Sequence, residues 1–399
     1  MIEFNNSAEM KRLFPDITHT KLGQLLLLCN CILAVQSTNL RQCAKRVSKL
    51  IDQEIKLETA YSRLKRFFQT GKPENVLKGI FNLVVRTMCQ NKECYLILDR
   101  TNWEFGKCKV NLLVIGLLYK NIFIPLVWKD LEKKGNSNTK ERLDLMDRLI
   151  NWWPANSIKI PQLYLAGDRE FIGYKWLKGL EERNVKFVMR IRANAKIVLW
   201  FNGKIKDRKV GLKILKRYLA WTGKDSLEAV LESDYIVKLC AFENESSRAK
   251  AEIIYLMTNM DDITQASIFY KKRYKIEVCF KHMKRNGFNL EDQKVVGGHK
   301  SDLMFGALTV VYLMTVQQGL EYYEEHPQER KLHRDKKKRS YGYMYPVVSI
   351  FNKGNELLLA EVFFYDEFCK ALTAMSRWIA KKTKPLEYDQ YTLQKITVQ

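Results

Sequence analysis

Apolar positions change their spacing twice along this chain. Up to about residue 90 they recur three and four apart, as in Leu25, Leu28, Cys29 and Ile32 and then Val47, Leu50 and Ile51, which predicts helices and no strand. From residue 94 the pattern becomes short apolar runs bounded by polar residues: Cys94–Leu98, Val110–Tyr119, Ile122–Trp128, Leu163–Ala166 and Phe187–Ile191. These predict strands. Helical spacing at Thr139–Trp153 and Gly173–Asn184 falls between the later ones, so three consecutive strands precede an alternation of helix and strand.

That order matches an α/β fold with a ribonuclease-H-like core, whose sheet starts as an antiparallel meander before its crossovers. From about 192 to 255 short β-like pieces, Ile197–Phe201 and Tyr235–Phe242, lie among charged turns and predict a β-rich insertion. A return strand, Ile253–Met257, leads into one long helix from Asp262 to Lys284, with Asp262 and Gln265 at capping-box spacing. An apolar helix at Leu303–Leu320, a basic linker at Lys331–Arg339 and a helical segment at Asn355–Lys382 follow. The predicted layout is a helical domain at 1–90, the core at 91–191 and 253–322, the insertion at 192–252, and the linker with a C-terminal helical region at 323–399. No internal repeat is visible.

Composition narrows the function. With 399 residues and 46% of them hydrophobic, the chain fills two or three domains. Its nine cysteines are scattered without a CxxC pair, which predicts a reducing compartment, no disulfides and no zinc site. Lys and Arg number 68 against 44 Asp and Glu, a net charge of +24 that favours a polyanion such as nucleic acid. The apolar run Leu25–Val35 is far short of the roughly 20 residues that span a bilayer. The start, Met-Ile-Glu-Phe-Asn-Asn, lacks a secretory pattern. Both predict a cytoplasmic protein without a membrane segment. The segment Thr59–Phe68 combines three cations with aromatics and reads either as a helix lying along phosphates or as a solvated helix with a packed Phe pair.

Candidate chemistry lies at the strand ends and on the long helix. Asp99 closes the run Tyr95–Leu98 and Asp168 follows Leu163–Gly167, so each acid is placed where a buried strand emerges. Taken singly, such acids are turn formers as readily as metal ligands. On an unbroken helix, Tyr270, Arg273, Glu277 and Lys284 share one stripe about 60° wide. Beside it Phe269, Ile276, Phe280 and Met283 form an apolar stripe that seats the helix. Glu277 is the single acid among seven cations between residues 270 and 285, which points to phosphate binding by Arg273, Lys284, Lys281 and Arg285. A bland reading, with Glu277 bridging Arg273 and Lys281, leaves Tyr270 and the two aspartates unexplained. Glu170, Asp144, Asp147, Asp261 and Asp262 are set aside as primary ligands, Glu170 remaining a supporting group. The histidines form no metal pair, and His282 is assigned to the phosphate-facing surface. Neither GxxxxGK[ST] nor a post-strand GxGxxG occurs, so no nucleotide cofactor is expected.

These residues resemble the DDE transposases of bacterial insertion sequences, in the branch marked by Tyr-x2-Arg-x3-Glu-x6-Lys, whose spacing is matched without a gap from Tyr270 to Lys284. Asp99-Arg-Thr-Asn-Trp103 and Gly167-Asp-Arg-Glu-Phe171 resemble the surroundings of the family's first two acids, over roughly residues 20 to 320. The resemblance implies that Asp99, Asp168 and Glu277 hold two Mg²⁺ ions, with Mn²⁺ able to substitute, and that Tyr270, Arg273 and Lys284 contact phosphates near the transferred end. It also implies double-stranded DNA as substrate, cleavage of terminal inverted repeats, a hairpin intermediate, strand transfer and a synaptic homodimer. Asn102 and Trp103 would shape the metal pocket, while Trp200 and Trp221 suit the core of the insertion better than a flipped base. The rival readings are a ribonuclease-H-fold nuclease or resolvase without strand transfer, and an inactive DNA-binding relic.

Overall fold

The computed structural model describes residues 14–89, 92–153, 159–201, 204–205, 210–212, 215–231, 235–244, 252–329, 332–334, 344–346, 348–361 and 365–381. Four helices come first: α1 (His19–Val35), α2 (Leu40–Leu50), α3 (Leu57–Lys65) and α4 (Pro73–Met88). Strands β1 (Glu93–Phe105), β2 (Cys108–Tyr119) and β3 (Ile122–Asp130) follow, then α5 (Thr139–Trp152), β4 (Gln162–Gly167), α6 (Tyr174–Glu182) and β5 (Val185–Ile191). The insertion carries β6 (Lys196–Phe201), β7 (Lys204–Ile205), β8 (Val210–Gly211), α7 (Leu215–Thr222), β9 (Leu227–Val230) and β10 (Ile236–Asn244). After it come β11 (Glu252–Thr258), α8 (Ile263–Lys271), α9 (Lys275–Lys284), α10 (His299–Glu325), β12 (Leu332–Arg334), β13 (Met344–Pro346), α11 (Ile350–Glu361) and α12 (Tyr365–Lys381).

By packing, these elements form two compact units: residues 91–101 with 112–277, and residues 1–90 with 102–111 and 278–399. The first is a mixed α/β unit. Its sheet runs β3-β2-β1-β4-β5-β11-β10-β9-β6-β7, with β8 beside β6. Strands β1, β4 and β5 are parallel, whereas β3 is antiparallel to β2 and β11 antiparallel to β5. Cys94–Leu98 of β1 and Phe187–Met189 of β5 are buried without alternation, as strands covered on both faces must be. A capping box between Asn138 and Glu141 starts α5, and the Asp262 carboxylate starts α8 by accepting from the Gln265 N–H at 2.8 Å. Gly173, at φ 137°, makes the turn into α6 in a region that side chains resist.

The second unit is organised around α10, whose 27 residues are buried over nearly their whole circumference. It packs against α1, α4, α11 and α12. Length and a mean hydropathy of 1.4 would let α10 cross a membrane, yet 94% of its most apolar stretch is buried inside the protein, as a core helix would be. This is the apolar helix expected at Leu303–Leu320, and it is longer than the Leu25–Val35 run on which the absence of a membrane segment was argued. Phe67 and Phe68 are buried edge to face at 5.1 Å, the packed-pair alternative for the Thr59–Phe68 segment.

Several predicted elements differ in extent. The helix expected from Asp262 to Lys284 is two helices, because Arg273, Lys275 and Ile276 donate backbone N–H groups to Tyr270, Lys272 and Arg273 at 2.9, 3.1 and 3.2 Å. These three-residue turns tighten the backbone and rotate α9 out of the single stripe. Strand β1 does not end at Asp99 but continues to Phe105; only its pairing with β4 stops there, at Leu98 opposite Gly167. The C-terminal helical segment is likewise two helices, α11 and α12, and Lys382 lies outside the described residues. Within the basic run, Leu332–Arg334 pair as a strand with Met344–Pro346, and residues 335–339 are outside the described residues.

Candidate active site

Strand register builds the site. Leu98 pairs with Gly167, and Gly167 pairs with Met189, so the next residues on three adjacent parallel strands, Asp99, Asp168 and Arg190, stand at one level. Helix α8 is seated on the same sheet: Phe269 is buried edge to face against Tyr95 at 5.0 Å, Tyr95 stacks on Tyr164 at 4.8 Å, and Gln265 Nε2 donates to Tyr95 Oη at 2.5 Å. This anchoring aims Tyr270 and the tight turn after it at the aspartates. Tyr270 Oη approaches Asp168 Oδ1 at 3.5 Å. Arg273 donates through Nη1 to Asp99 Oδ2 at 3.1 Å and through Nη2 to Glu277 Oε1 at 2.6 Å. Asp99, Asp168, Glu277, Tyr270 and Arg273 thus come together, and Arg273 stands between two of the acids.

The electrostatics follow from burial. Asp99 is pushed up to about 6 by loss of water, with Arg273 and the Arg100 N–H opposing and Glu277 and Asp168 adding to the rise. Burial works against the charge on Arg273, but Tyr270, Asp99 and Glu277 outweigh it and keep the guanidinium firmly protonated. Burial likewise pushes the Tyr270 phenol up to about 12, so it acts as a donor. Among the described residues no three His, Cys, Asp or Glu side chains are close enough to grip a metal ion. Arg273 lies between Asp99 and Glu277, with one guanidinium nitrogen on each.

A second network braces the two aspartates from behind. Arg100, the residue after Asp99, grips Glu170, two residues after Asp168, through Nε at 2.5 Å and Nη2 at 2.7 Å, and donates to Gly135 O and Asn136 Oδ1 at 2.7 and 2.9 Å. Glu170 also accepts from Ser137 Oγ at 3.2 Å, and Ser137 Oγ from Arg142 Nε at 2.9 Å. Glu170 is therefore committed to arginine, Asp147 to Arg183 at 2.5 Å, Asp261 to Lys238 at 3.0 Å and Asp262 to its cap.

Other candidates sit elsewhere. Lys284, in the helical unit, donates to Asn102 O at 2.7 Å, pairs with Glu291 at 3.1 Å and lies 5.4 Å from the centre of the Trp103 ring. Lys281 and Arg285 are exposed on the same unit. His282 is not on a phosphate-facing surface: its ring stacks on Phe351 at 4.2 Å beside Tyr312, and burial pulls its pKa down to about 4. An aromatic slot outweighs the basic residues around it in sequence. The side chains of Trp200 and Trp221 lie outside the described residues. Sequence reasoning missed Arg190, because strand register decides its level, and Arg100, although it sits inside the quoted Asp99–Trp103 motif.

A family model, the transposase DDE domain, matches residues 91–314. The chain belongs to that family. Its span includes all three acids, Tyr270, Arg273 and Lys284, and membership makes the chain a transposase-type enzyme acting on DNA. No curated protein matches it. Among solved structures, the cryo-EM structure of a piggyBac transposase synaptic complex with hairpin DNA is similar at a TM-score of 0.39 and 8% identity, over 99% of this chain and 81% of that one.

Proposed function

We propose that this DDE-family chain binds the terminal inverted repeats of a bacterial insertion sequence, cuts its ends and joins them to target DNA. The observation that carries the reading is the meeting of Asp99 and Asp168, level on adjacent parallel strands, with Glu277 through Arg273. Strand order β3-β2-β1-β4-β5, with a meander first and crossovers after, supports a ribonuclease-H-like core. In this reading the helical segment 1–90 grips DNA, 192–252 is an insertion and 323–399 serves assembly of a synaptic homodimer.

The donor chemistry suits divalent metal: three carboxylates offer hard oxygens, and burial beside two other acids raises Asp99 to about 6 although Arg273 opposes the rise, so further positive charge would favour its ionised form. Asp99, Asp168 and Glu277 would hold two Mg²⁺ ions, or Mn²⁺ in their place, which supply an activated oxygen nucleophile and stabilise the leaving oxygen. Arg273 then exchanges its carboxylate partners for a DNA phosphate, which its planar fork suits. Tyr270 donates a hydrogen bond from its phenol to a phosphate oxygen beside Asp168. Lys284, Lys281 and Arg285 hold the strand by charge. In this reading the 3′-hydroxyl freed by the first hydrolytic cut attacks the opposite strand and closes a hairpin, water reopens the hairpin to regenerate that 3′-hydroxyl, and the hydroxyl then attacks a target phosphodiester and displaces its 3′-oxygen.

The test uses the purified chain, Mg²⁺ and duplexes carrying the matching inverted repeats that flank its gene. Cleavage, followed by joining of a pre-cut end to plasmid DNA, is expected. D99A and E277A should abolish both while retaining end binding. Nicked products without joining would sink the transposase reading in favour of a nuclease.

A further inference from the structure

Strands β1 and β2 are the longest of the sheet, and each outruns its outer neighbour: β4 pairs with β1 only up to Leu98, and β3 with β2 only from Leu112. Beyond those points the two pair only with each other, and residues 102–111 belong to the helical unit. There Lys284 donates to Asn102 O at 2.7 Å, and Trp103 and Val110 are buried, so the base of this ribbon is fixed. Alternation along the strands puts Phe105 and, across the turn, Cys108 on the same face as that buried pair. At the tip this face is open: every residue from Glu104 to Lys109 is exposed, Phe105 by 38%. Gly106, at φ 57°, opens a two-residue loop as the glycine of a type II′ turn does, which keeps the tip short and stiff. Neither Lys107 nor Lys109 pairs with an acid among the described residues. A stiff ribbon end that shows an aromatic ring beside two uncompensated lysines suits a duplex, whose base step the ring can part while the ammonium groups meet phosphates.

We infer that this hairpin tip is a wedge for target DNA, with Phe105 entering the minor groove and Lys107 and Lys109 on the flanking phosphates. The inference rests on the transposase reading and names a part of the chain that handles the duplex into which ends are joined. The tip suits target DNA better than transposon ends. Terminal repeats are one sequence that has to be told from all others, whereas Phe and Lys do not tell base pairs apart in the minor groove. A wedge senses instead how easily a base step opens, so insertion should favour flexible pyrimidine–purine steps such as TA and CA over stiff A-tracts.

Cys108 supplies the probe, because it is exposed while the other eight cysteines are buried. Its alkylation by iodoacetamide is timed in the full chain alone, with a pre-cut repeat duplex, and with that duplex plus a target duplex. The repeat duplex should leave the rate unchanged, and target should slow it about tenfold. Joining is then compared in wild type, F105A and F105W, into intact targets and targets with one mismatch. F105A should cut repeat ends at the wild-type rate, which shows that it folds, yet join them to intact target about tenfold more slowly. F105W should keep joining, and a mismatch, already easy to unstack, should restore it in F105A. K107Q/K109Q should flatten the salt dependence of target binding by about 0.9 in the log–log slope for each phosphate no longer neutralised. Protection of Cys108 by the repeat duplex alone, or joining by F105A at the wild-type rate, would overturn the wedge for target DNA and leave the transposase reading standing. A wild-type chain that cuts without joining, or does neither, would overturn that reading and the wedge with it.

Discussion

Arg100 holds Glu170 by two nitrogens, at 2.5 and 2.7 Å, with both side chains only 17% exposed. The pair links the residue after Asp99 to a residue two after Asp168, and the Arg100 N–H donates to Asp99 Oδ1 at 2.8 Å. Its geometry sets the spacing of the two candidate metal ligands. Removing one partner of a partly buried, bidentate pair costs about 1–3 kcal/mol, because the other is left desolvated. E170A should therefore lower the melting temperature by several degrees and slow DNA cleavage at least tenfold while leaving end binding unchanged. The reversed pair R100E/E170R should recover part of the stability. Cleavage at wild-type rate in E170A would show that the brace does not position the aspartates.

In the helical unit, α10 and α11 touch through Gly319 and Gly354. A Cβ on Gly354 would strike the Thr315 carbonyl oxygen and the Gly319 nitrogen, and one on Gly319 the Ile350 carbonyl oxygen. Backbone cannot yield as a side-chain tip does, so the helices would have to part. G354A should destabilise by about 2–3 kcal/mol or more, read as a shift in the urea midpoint with an unchanged slope. A neutral G354A would mean that the helices separate freely.

Much of this was legible in the sequence for a physical reason. The strands of the sheet are continuous apolar runs with sharp polar borders, so Cys94–Leu98 and Leu163–Ala166 announced themselves and delivered Asp99 and Asp168. The turn at Lys272–Tyr274 was not legible, since no Gly or Pro marks it and the helical period runs through it in the residue pattern. His282 misled because Lys281 and Arg285 beside it in sequence are exposed while its ring faces Phe351. Arg190 was hidden because side-by-side strand register is a long-range property.

Asp99 links folding to pH. Its ordinary value of 3.8 applies to the unfolded chain, and burial raises the folded value to about 6. The folded state thus binds the proton more tightly, and this contribution, complete below 3.8, is lost as pH rises through about 6. Without metal, the protein should lose about 2–3 kcal/mol of stability across that window. D99N should flatten the fall, and millimolar Mg²⁺ at neutral pH should reverse it in wild type but not in D99N. Urea midpoints with chelator or metal, at pH values from about 4 to about 7, make the comparison. A wild-type profile parallel to that of D99N would exclude Asp99 as the titrating group.

Arg273 separates charge from shape. Its two outer nitrogens reach Asp99 and Glu277, carboxylates that burial and mutual repulsion otherwise set against each other. A lysine ammonium is a point charge that meets one such oxygen well and cannot span two in a planar fork. R273K should therefore keep the fold and most end binding, since net charge is unchanged, but lose cleavage by about 10²–10³, the usual result of removing an aimed donor in a transition state. R273A should show the same loss and also unfold more readily at neutral pH, where two carboxylates are left facing each other. Both variants should bind Mn²⁺ in the absence of DNA more tightly than wild type, since the competing cation between the acids is weakened or gone. Titration calorimetry with Mn²⁺ reads this directly. Equal Mn²⁺ affinity in wild type and R273A would show that the guanidinium does not stand in the metal's place.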